Sequence, residues 1–330
     1  MSKNRIYYKI RRFIPRALQV AVRRKLVRKK TGRVRNLWPI DPSTGQPPRG
    51  WNGWPGGNLF ALVLTHDVET ARGQENVKKL VRIEQELGFR SSFNFVPERY
   101  TVSSELRHWL CENGFEVGVH DLKHDGSLYS SKSMFFKSSQ RINQYIREWD
   151  AKGFRSGSMH HNLEWVGMLD IDYDASTFDT DPFEPQPDGV GTIFPFCCNK
   201  SNGRVFVELP YTLAQDFTLF ILLGETDIRL WTTKLDWIVQ QRGMMLVNVH
   251  PDYINFSDRK SRRTEYPIDR YRDLLKYCLN TYAEQYWNAL PREVADFMLN
   301  HPVCAHHADN KPGLAAPRTL GDSWNSKNPK

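Results

Sequence analysis

Short apolar runs punctuate the chain from residue 60 to residue 250, and amphipathic stretches separate most of them. The runs FALVLTH (60–66), SSFNFVP (91–97), FEVGVH (115–120), GFRSG (153–157), YDASTF (173–178), RVFVELP (204–210) and MMLVNVH (244–250) have the length and composition of buried strands. Between them, GQENVKKLVRIEQELG (73–88), SSELRHWLCENG (103–114), KSMFFKSSQRINQYIREWDAKG (132–153) and DIRLWTTKLDWIVQQRG (227–243) place apolar residues at a helical period. Two more helical stretches, IDRYRDLLKYCLNTY and PREVADFML, follow the last strand. Gly88, Gly114, Gly153 and Gly243 stand where these helices are expected to stop. Repeated strand–helix alternation implies a parallel sheet with helices outside. Seven strands suit an incomplete or distorted barrel as well as an open sheet. No internal repeat and no GxGxxG or GxxxxGK loop occurs, so a nucleotide-binding doubly wound sheet has no support.

Composition divides the chain rather than characterising it as a whole. The formal charge is +9, yet residues 1–40 hold 14 of the 46 Lys and Arg and no Asp or Glu, leaving 32 basic against 37 acidic residues elsewhere. The basicity belongs to an N-terminal arm (1–36), and a nucleic-acid-binding body is not expected. In the arm, Ile10, Ile14, Leu18, Val22 and Leu26 recur every four residues, with Pro15 set to interrupt the helix. Arg16, Gln19, Arg23 and Arg24 break the run, so it is neither a secretion signal nor a span. A basic helix with an apolar stripe, residues 1–30, suits an anionic membrane surface; the alternative is an extension that packs on its own domain or on a partner. Residues 37–58, rich in Pro, Gly and Trp, read as a linker or a wrapping segment. Residues 59–300 read as the folded body and 301–330 as a loose tail. The cysteines, Cys111, Cys197, Cys198, Cys278 and Cys304, show no CxxC spacing and read as reduced thiols in a cytoplasmic setting. His301, Cys304, His306 and His307 lack a flanking ligand set for structural zinc.

In a barrel of parallel strands, chemistry gathers where the strands end. The first predicted strand ends in His66, Asp67 and Glu69, and the third in His120, with Asp121 and His124 after it. The fourth ends in Arg155, the fifth runs into Asp179 and Asp181, and the last ends in His250. HDLKHDG (120–126) brings two imidazoles within reach of one ion if the turn is helical; it lacks the Glu of HExxH. Two histidines with a carboxylate from HDVE would leave positions for water, whose pKa such a centre lowers from about 15.7 to roughly 7. Trp231 and Trp237 read as core at their helical spacing, and His66 as packing rather than a ligand.

These motifs, in this order, resemble the polysaccharide deacetylase family, the NodB-homology domain of carbohydrate esterase family 4, over residues 58–298. The resemblance implies a distorted (β/α)7 barrel, here preceded by a basic N-terminal helical arm. It also implies a divalent metal, zinc or else Co2+, Ni2+ or Mn2+, and removal of an N- or O-acetyl group from a sugar in a glycan or a lipid-linked precursor. THDVE stands for TFDDG, so Asp67 matches the general base. Val68 replaces the usual ligand, and Glu69 takes the ligand position of DxD branches. His120 and His124 match the histidine ligands. RSGS keeps only Arg155 of RPPY, as the group that orients the base. Asp179 and Asp181 loosely match the Asp-rich strand end that faces substrate. LVNVH matches the last motif, with His250 as general acid held protonated by a neighbouring carboxylate. The departures at Val68 and RSGS keep a weakly catalytic carbohydrate-binding protein as an alternative, and the fold also serves hydrolases of non-sugar amides. The arm would place the protein at the inner membrane face.

Overall fold

The computed structural model describes residues 16–34, 37–200 and 202–304. The chain opens with α1 (Arg16–Thr31), passes through an irregular segment and enters β1 (Phe60–Val68). It continues as α2 (Ala71–Glu86), β2 (Ser92–Phe95), α3 (Ser104–Glu112), β3 (Glu116–His120), α4 (Lys132–Glu148), β4 (Gly153–Arg155), α5 (Leu163–Val166) and β5 (Tyr173–Asp174). After β6 (Phe196–Asn199) and β7 (Val205–Glu208) come a π-helical segment (Phe217–Leu223), α6 (Arg229–Gln241) and β8 (Met244–Val249). The short β9 (Ile254–Asn255) and β10 (Tyr266–Pro267), then α7 (Asp269–Tyr282), β11 (Tyr286–Asn288) and α8 (Pro291–Leu299), complete it.

Every residue of β1 is buried, and the strand has neighbours on both edges. β8 runs parallel along one edge, from Ala61↔Met244 to His66↔Val249. The other edge is shared: β11 covers Phe60–Leu62 and β2 covers Thr65–Val68. From β2 the parallel order runs β3, β4, β5, β7. The sheet then curls back to β8, because Thr212 and Leu213 donate their amides to Leu246 O at 3.0 and 3.1 Å and the Leu246 amide donates to Thr212 Oγ1 at 3.0 Å. This is the distorted (β/α)7 barrel expected. Its parallel strands β1, β2, β3, β4, β5, β7 and β8 lie in the seven apolar runs read from the sequence. β6 pairs antiparallel to β7 outside that pattern, and β9, β10 and β11 are short additions.

Side-chain ends explain where helices begin. Thr70, Ser103 and Ser131 accept from the amides of Gly73, Leu106 and Met134 and so cap α2, α3 and α4. Gly88 and Gly114 follow their helices with φ of +78° and +80°, as helix stops. Gly153 and Gly243 do other work than expected. Gly153 opens β4, and a Cβ there would lie inside the Tyr173 ring; one at Gly243 would overlap Ile193. α4 stops instead at Asp150, whose φ is +48°, and α6 at Arg242, whose φ is +58°.

The segment from residue 37 to 58 wraps the barrel. Trp38 packs edge-on to Phe183, Gly45 lies against Gln241, and Trp54 sits beside Trp287 and Phe297. At the far end, His301, Val303 and Cys304 are buried, so the body extends past 300 to at least residue 304. Cys197 is joined to Cys304, with Cα atoms 5.7 Å apart, inside the disulfide range. The reading of all five cysteines as reduced is therefore corrected; only Cys111, Cys198 and Cys278 are free. The spacing rule missed the pair because its members stand 107 positions apart and only the fold brings β6 to the segment that follows α8. His306 and His307 lie outside the described residues, as do Ile10, Ile14 and Pro15 of the arm.

Outside the barrel wall, Glu84 of α2 accepts from His66 Nε2 at 2.7 Å, Ser91 Oγ at 2.7 Å and Tyr271 Oη at 2.5 Å, all fully buried. His66 is thus a clamp between β1, α2 and α7 and faces away from the barrel interior. Replacing Glu84 by Leu leaves three buried donors unpaired. It is expected to cost about 3–5 kcal/mol of stability, read as a lowered urea midpoint.

Candidate active site

Alternation along the strands decides which side chains meet. In β1, Thr65 and Asp67 point into the barrel, whereas His66 and Val68 point outward to the helices. Glu69, one residue past the strand, returns to the inner side. Val68 is fully buried in the apolar core, so the structure brings Asp67 and Glu69, not Asp67 and residue 68, to one rim.

Asp67 is 2% exposed and ringed by donors from other strands. Asn94 Nδ2 of β2 donates to Oδ1 at 3.1 Å and Asn248 Nδ2 of β8 to Oδ2 at 2.8 Å. Arg155 Nη1 of β4 lies 3.4 Å from Oδ1 and donates to Thr65 Oγ1 at 2.8 Å. Arg155 Nε donates to Ala175 O at 2.8 Å, so the guanidinium is locked in place. Burial alone would raise the Asp67 pKa, but the neighbouring His120, Arg155 and His250 outweigh it and hold the carboxyl well below the usual range. Arg155 thus lies beside the carboxylate it was expected to orient.

Glu69, His120 and His124 form the one group of three or more metal-type side chains found among the described residues, with ligand atoms within 4.8 Å of one another. All three are buried. The HxxxH pair does not lie on a helical turn. Asp121 and His124 adopt positive φ of 56° and 53°, and the loop folds back so that the two rings stand 4.9 Å apart. The tight approach depends on the reduced RSGS motif: a Cβ on Gly157 would collide with the Asp121 carboxylate and the His124 ring. His120 Nδ1 donates to Arg155 O at 3.0 Å, which leaves Nε2 as the lone-pair side. That Nε2 is buried without a hydrogen-bond partner and faces the cluster. Glu69 Oε1 and His124 Nε2 are 3.4 Å apart, about the spacing that two ligands on roughly 2.1 Å bonds subtend at a tetrahedral ion. Burial pushes the His124 pKa down to about 4, against the opposing pull of Glu69, so its imidazole is neutral; its Nδ1 accepts from Arg99 Nη1 at 3.1 Å, and ligation through Nε2 requires Arg99 to release Nδ1, which then carries the proton. Tyr253 Oη donates to Glu69 Oε2 at 2.9 Å, and Asp252 accepts from the Glu69 amide at 2.9 Å, which fixes the carboxylate's position. The residues present fit a divalent cation.

Opposite this group, His250 Nδ1 donates to Asp216 Oδ1 at 2.6 Å, and the His250 amide donates to Asp216 Oδ2 at 2.8 Å. Tyr266 Oη adds a third donor to Asp216 at 2.9 Å. Burial would lower the His250 pKa; the Asp216 charge and hydrogen bond reverse that and push it up to about 9. Its Nε2 lies 4.0 Å from Asp67 Oδ2. An ionised carboxylate and a protonated imidazole thus face each other across the rim, the separation of acid and base that general acid–base chemistry needs.

Asp179 and Asp181 belong to a neighbouring buried group. Lys234 Nζ reaches Asp179 Oδ2 at 2.5 Å, while Asp181 accepts from Tyr211 Oη at 2.9 Å and caps the Phe183 amide at 2.8 Å. Burial and Glu184 push Asp181 up to about 8. This group reaches the site through Gln215, which donates to Glu184 at 2.6 Å and accepts from Asn248 at 3.1 Å. Trp231 is core, 1% exposed, with its Nε1 donating to Ala214 O.

Sequence reasoning named the histidine but not Asp216, and it passed over Asn94 and Asn248. A signal existed for each. The asparagines sit at polar positions inside apolar strands, and Asp216 directly precedes the run FTLFILL, where an acid caps the first turn.

No protein-family model matches the chain, and no curated protein sequence does. Solved structures of similar fold do exist. A protein from Mycobacterium smegmatis assigned as a polysaccharide deacetylase superposes with a TM-score of 0.61 at 17% identity, over 82% of this chain and 99% of that one. Puue allantoinase gives 0.62 at 14% identity over 80% and 99%. A protein of Pseudomonas aeruginosa PAO1 assigned as a polysaccharide deacetylase gives 0.60 at 14% identity over the same shares. At these identities the likeness establishes the fold, that of the NodB-type barrel.

Two measurements test the site. Glu69→Ala is expected to weaken zinc binding at least tenfold, followed by calorimetry on metal-stripped protein, with the far-UV spectrum unchanged. The His250 ring should titrate near 9 by NMR and fall toward or below 6.5 in Asp216→Asn. Because its folded pKa is raised above 6.5, its contribution to stability is full below pH 6.5 and is lost as pH rises through about 9.

Proposed function

We propose that the protein is a divalent-metal-dependent hydrolase that removes an acetyl group from an N- or O-acetylated sugar carried by a glycan or a lipid-linked precursor. One observation carries this reading. A carboxylate kept ionised and an imidazole kept protonated stand 4.0 Å apart beside a buried Glu–His–His group that fits a metal. The fold shared with structures assigned as polysaccharide deacetylases supports the same class. Neutral imidazoles with one carboxylate favour zinc over harder cations.

When bound, the metal supplies Lewis acidity and a nucleophilic water at neutral pH. Asp67 accepts the proton of the attacking water at Oδ2 as the water oxygen bonds to the acetyl carbon. Arg155 and the two asparagines hold that carboxylate ionised and aimed until the proton arrives. His250, whose Nδ1–H is anchored on Asp216, has its Nε2 proton free to give to the leaving nitrogen or oxygen as the bond to the acetyl carbon breaks. Transfer of the proton from Asp67 to His250, directly or carried by solvent, then resets the pair.

The allantoinase among the similar folds favours a second reading, hydrolysis of a non-sugar amide by the same groups. Parallel assays on N-acetylated amino sugars and on cyclic and linear amides separate the two; turnover of the amides alone would overturn the sugar reading. Asp67→Asn is expected to lower kcat/KM by about 10²–10⁴ with the fold and the bound metal retained. The alkaline limb of kcat/KM should lie near pH 9 and move to lower pH in Asp216→Asn.

A further inference from the structure

α1 has two faces. Val20 and Val27 are buried, and Arg23, Arg24 and Lys30 turn toward the barrel with them. Val27, with Val34, joins Trp38, Phe183 and Leu222 in a small core at the catalytic end of the barrel. Arg24 Nε donates to Ile221 O at 2.5 Å, Lys30 bonds to Pro182 O, and the Arg23 guanidinium stacks over Phe217 at 5.1 Å. Phe217 is the residue after Asp216, and its ring packs on Tyr253. The inner face of α1 is therefore fixed to the segment that carries the His250 carboxylate.

The outer face is the unusual one. Leu18, Val22 and Leu26 are 55%, 53% and 62% exposed, three of the six large apolar side chains exposed to this degree among the described residues. At 3.6 residues per turn they share a face with Lys25 and Lys29, both exposed, and no acid occurs anywhere in the helix. Beside that face lies an open groove of about 690 Å³ lined by Ala21, Arg24, Lys25, Arg28, Lys29 and Arg263. Five of its six lining residues are cations and none is an anion. The carboxylate of the facing loop, Glu265, is already engaged by Arg72 and Arg259. Burial, together with the charges of Arg263 and Arg28, lowers the Arg24 pKa, the mark of cations crowded without a counterion.

Apolar knobs set among Lys and Arg that have no acidic partner among the described residues match a surface that is anionic at its headgroups and apolar just below. Long basic side chains can reach phosphates while the leucines enter the acyl boundary. We infer that the outer face of α1, with the adjoining basic groove, docks the protein on an anionic lipid bilayer. Headgroup phosphates would occupy the groove, and the bilayer would lie beside the rim that holds Asp67 and His250. Nucleic acid fits the charge but leaves Leu18, Val22 and Leu26 unexplained. No described helix is long and apolar enough to cross a membrane, so the contact is peripheral. The inference does not depend on which acyl or amide substrate the site takes.

The test is co-sedimentation of the full chain with phosphatidylcholine vesicles, with and without about 30% phosphatidylglycerol, at near-physiological salt. At least tenfold stronger partition onto the anionic vesicles is expected. Val22→Glu with Leu26→Glu should reduce it tenfold or more, and Lys25→Glu with Lys29→Glu likewise. These positions are exposed, and an unchanged thermal midpoint will verify that each variant folds. A fluorophore attached to the thiol of Leu18→Cys, with the exposed Cys111 replaced by Ser, should be quenched by bromolipids as the helix face enters the bilayer. The proposal fails if anionic vesicles bind no better than neutral ones. It fails equally if only the charge variants lose binding, or if pyrophosphate or RNA binds through this face while vesicles do not.

Discussion

A carboxylate buried to 2% exposure remains ionised only if its surroundings repay a desolvation cost of several kcal/mol, and Asp67 sets that demand for the whole barrel. Several strands that end at the rim answer it. β2 sends Asn94, β4 Arg155 and β8 Asn248, with His250 just beyond. Moving β2, β4 or β8 from its place would withdraw a donor or a positive charge from the same two oxygens. The parallel register of the sheet is thus an electrostatic requirement as much as a packing solution, because only strands ending at one level can converge on one group.

The barrel itself was legible because apolar runs and helical periods are local. All seven parallel strands fall in the runs the sequence shows. β6 and β11 escaped notice: β6 is a four-residue strand in a local hairpin with β7, and β11 is a three-residue strand placed by long-range pairing with β1. The same division holds at the site. His66 faced the wrong way for a ligand, as its neighbour parity with Asp67 implies, and the HxxxH pair read correctly as two converging imidazoles. The loop that brings the pair together is not the helical turn on which that reading was conditional, since positive φ at Asp121 and His124 gives no sequence signature comparable to a glycine. Asp216 was invisible as a partner because it stands 34 positions before His250. Cys197 and Cys304 are the extreme case, joined only after the whole barrel has closed.

The π-helical segment and α1 tie the site to the molecule's basic edge. Asp216 fixes His250 from one end of that segment, while α1 presses on its side through Arg23, Arg24 and Val27. The basic helix that composition set apart from the body is, over its described length, a wall of the barrel end that holds Asp67 and His250. The wrapping segment then carries the chain down the barrel, so the two pieces that precede β1 cover different parts of one body.

Gly157, Val68 and Glu69 together show how this interior is written. The groups that meet across the rim occupy alternate letters of each strand, and the letters between them answer to the helices outside. Two such barrels can therefore agree in what they hold at the centre while differing at nearly every neighbouring position. Comparison of consecutive letters dilutes that agreement with text composed for another purpose. Reading the chain at every second position, strand by strand, would be the more faithful grammar for recognising its kin.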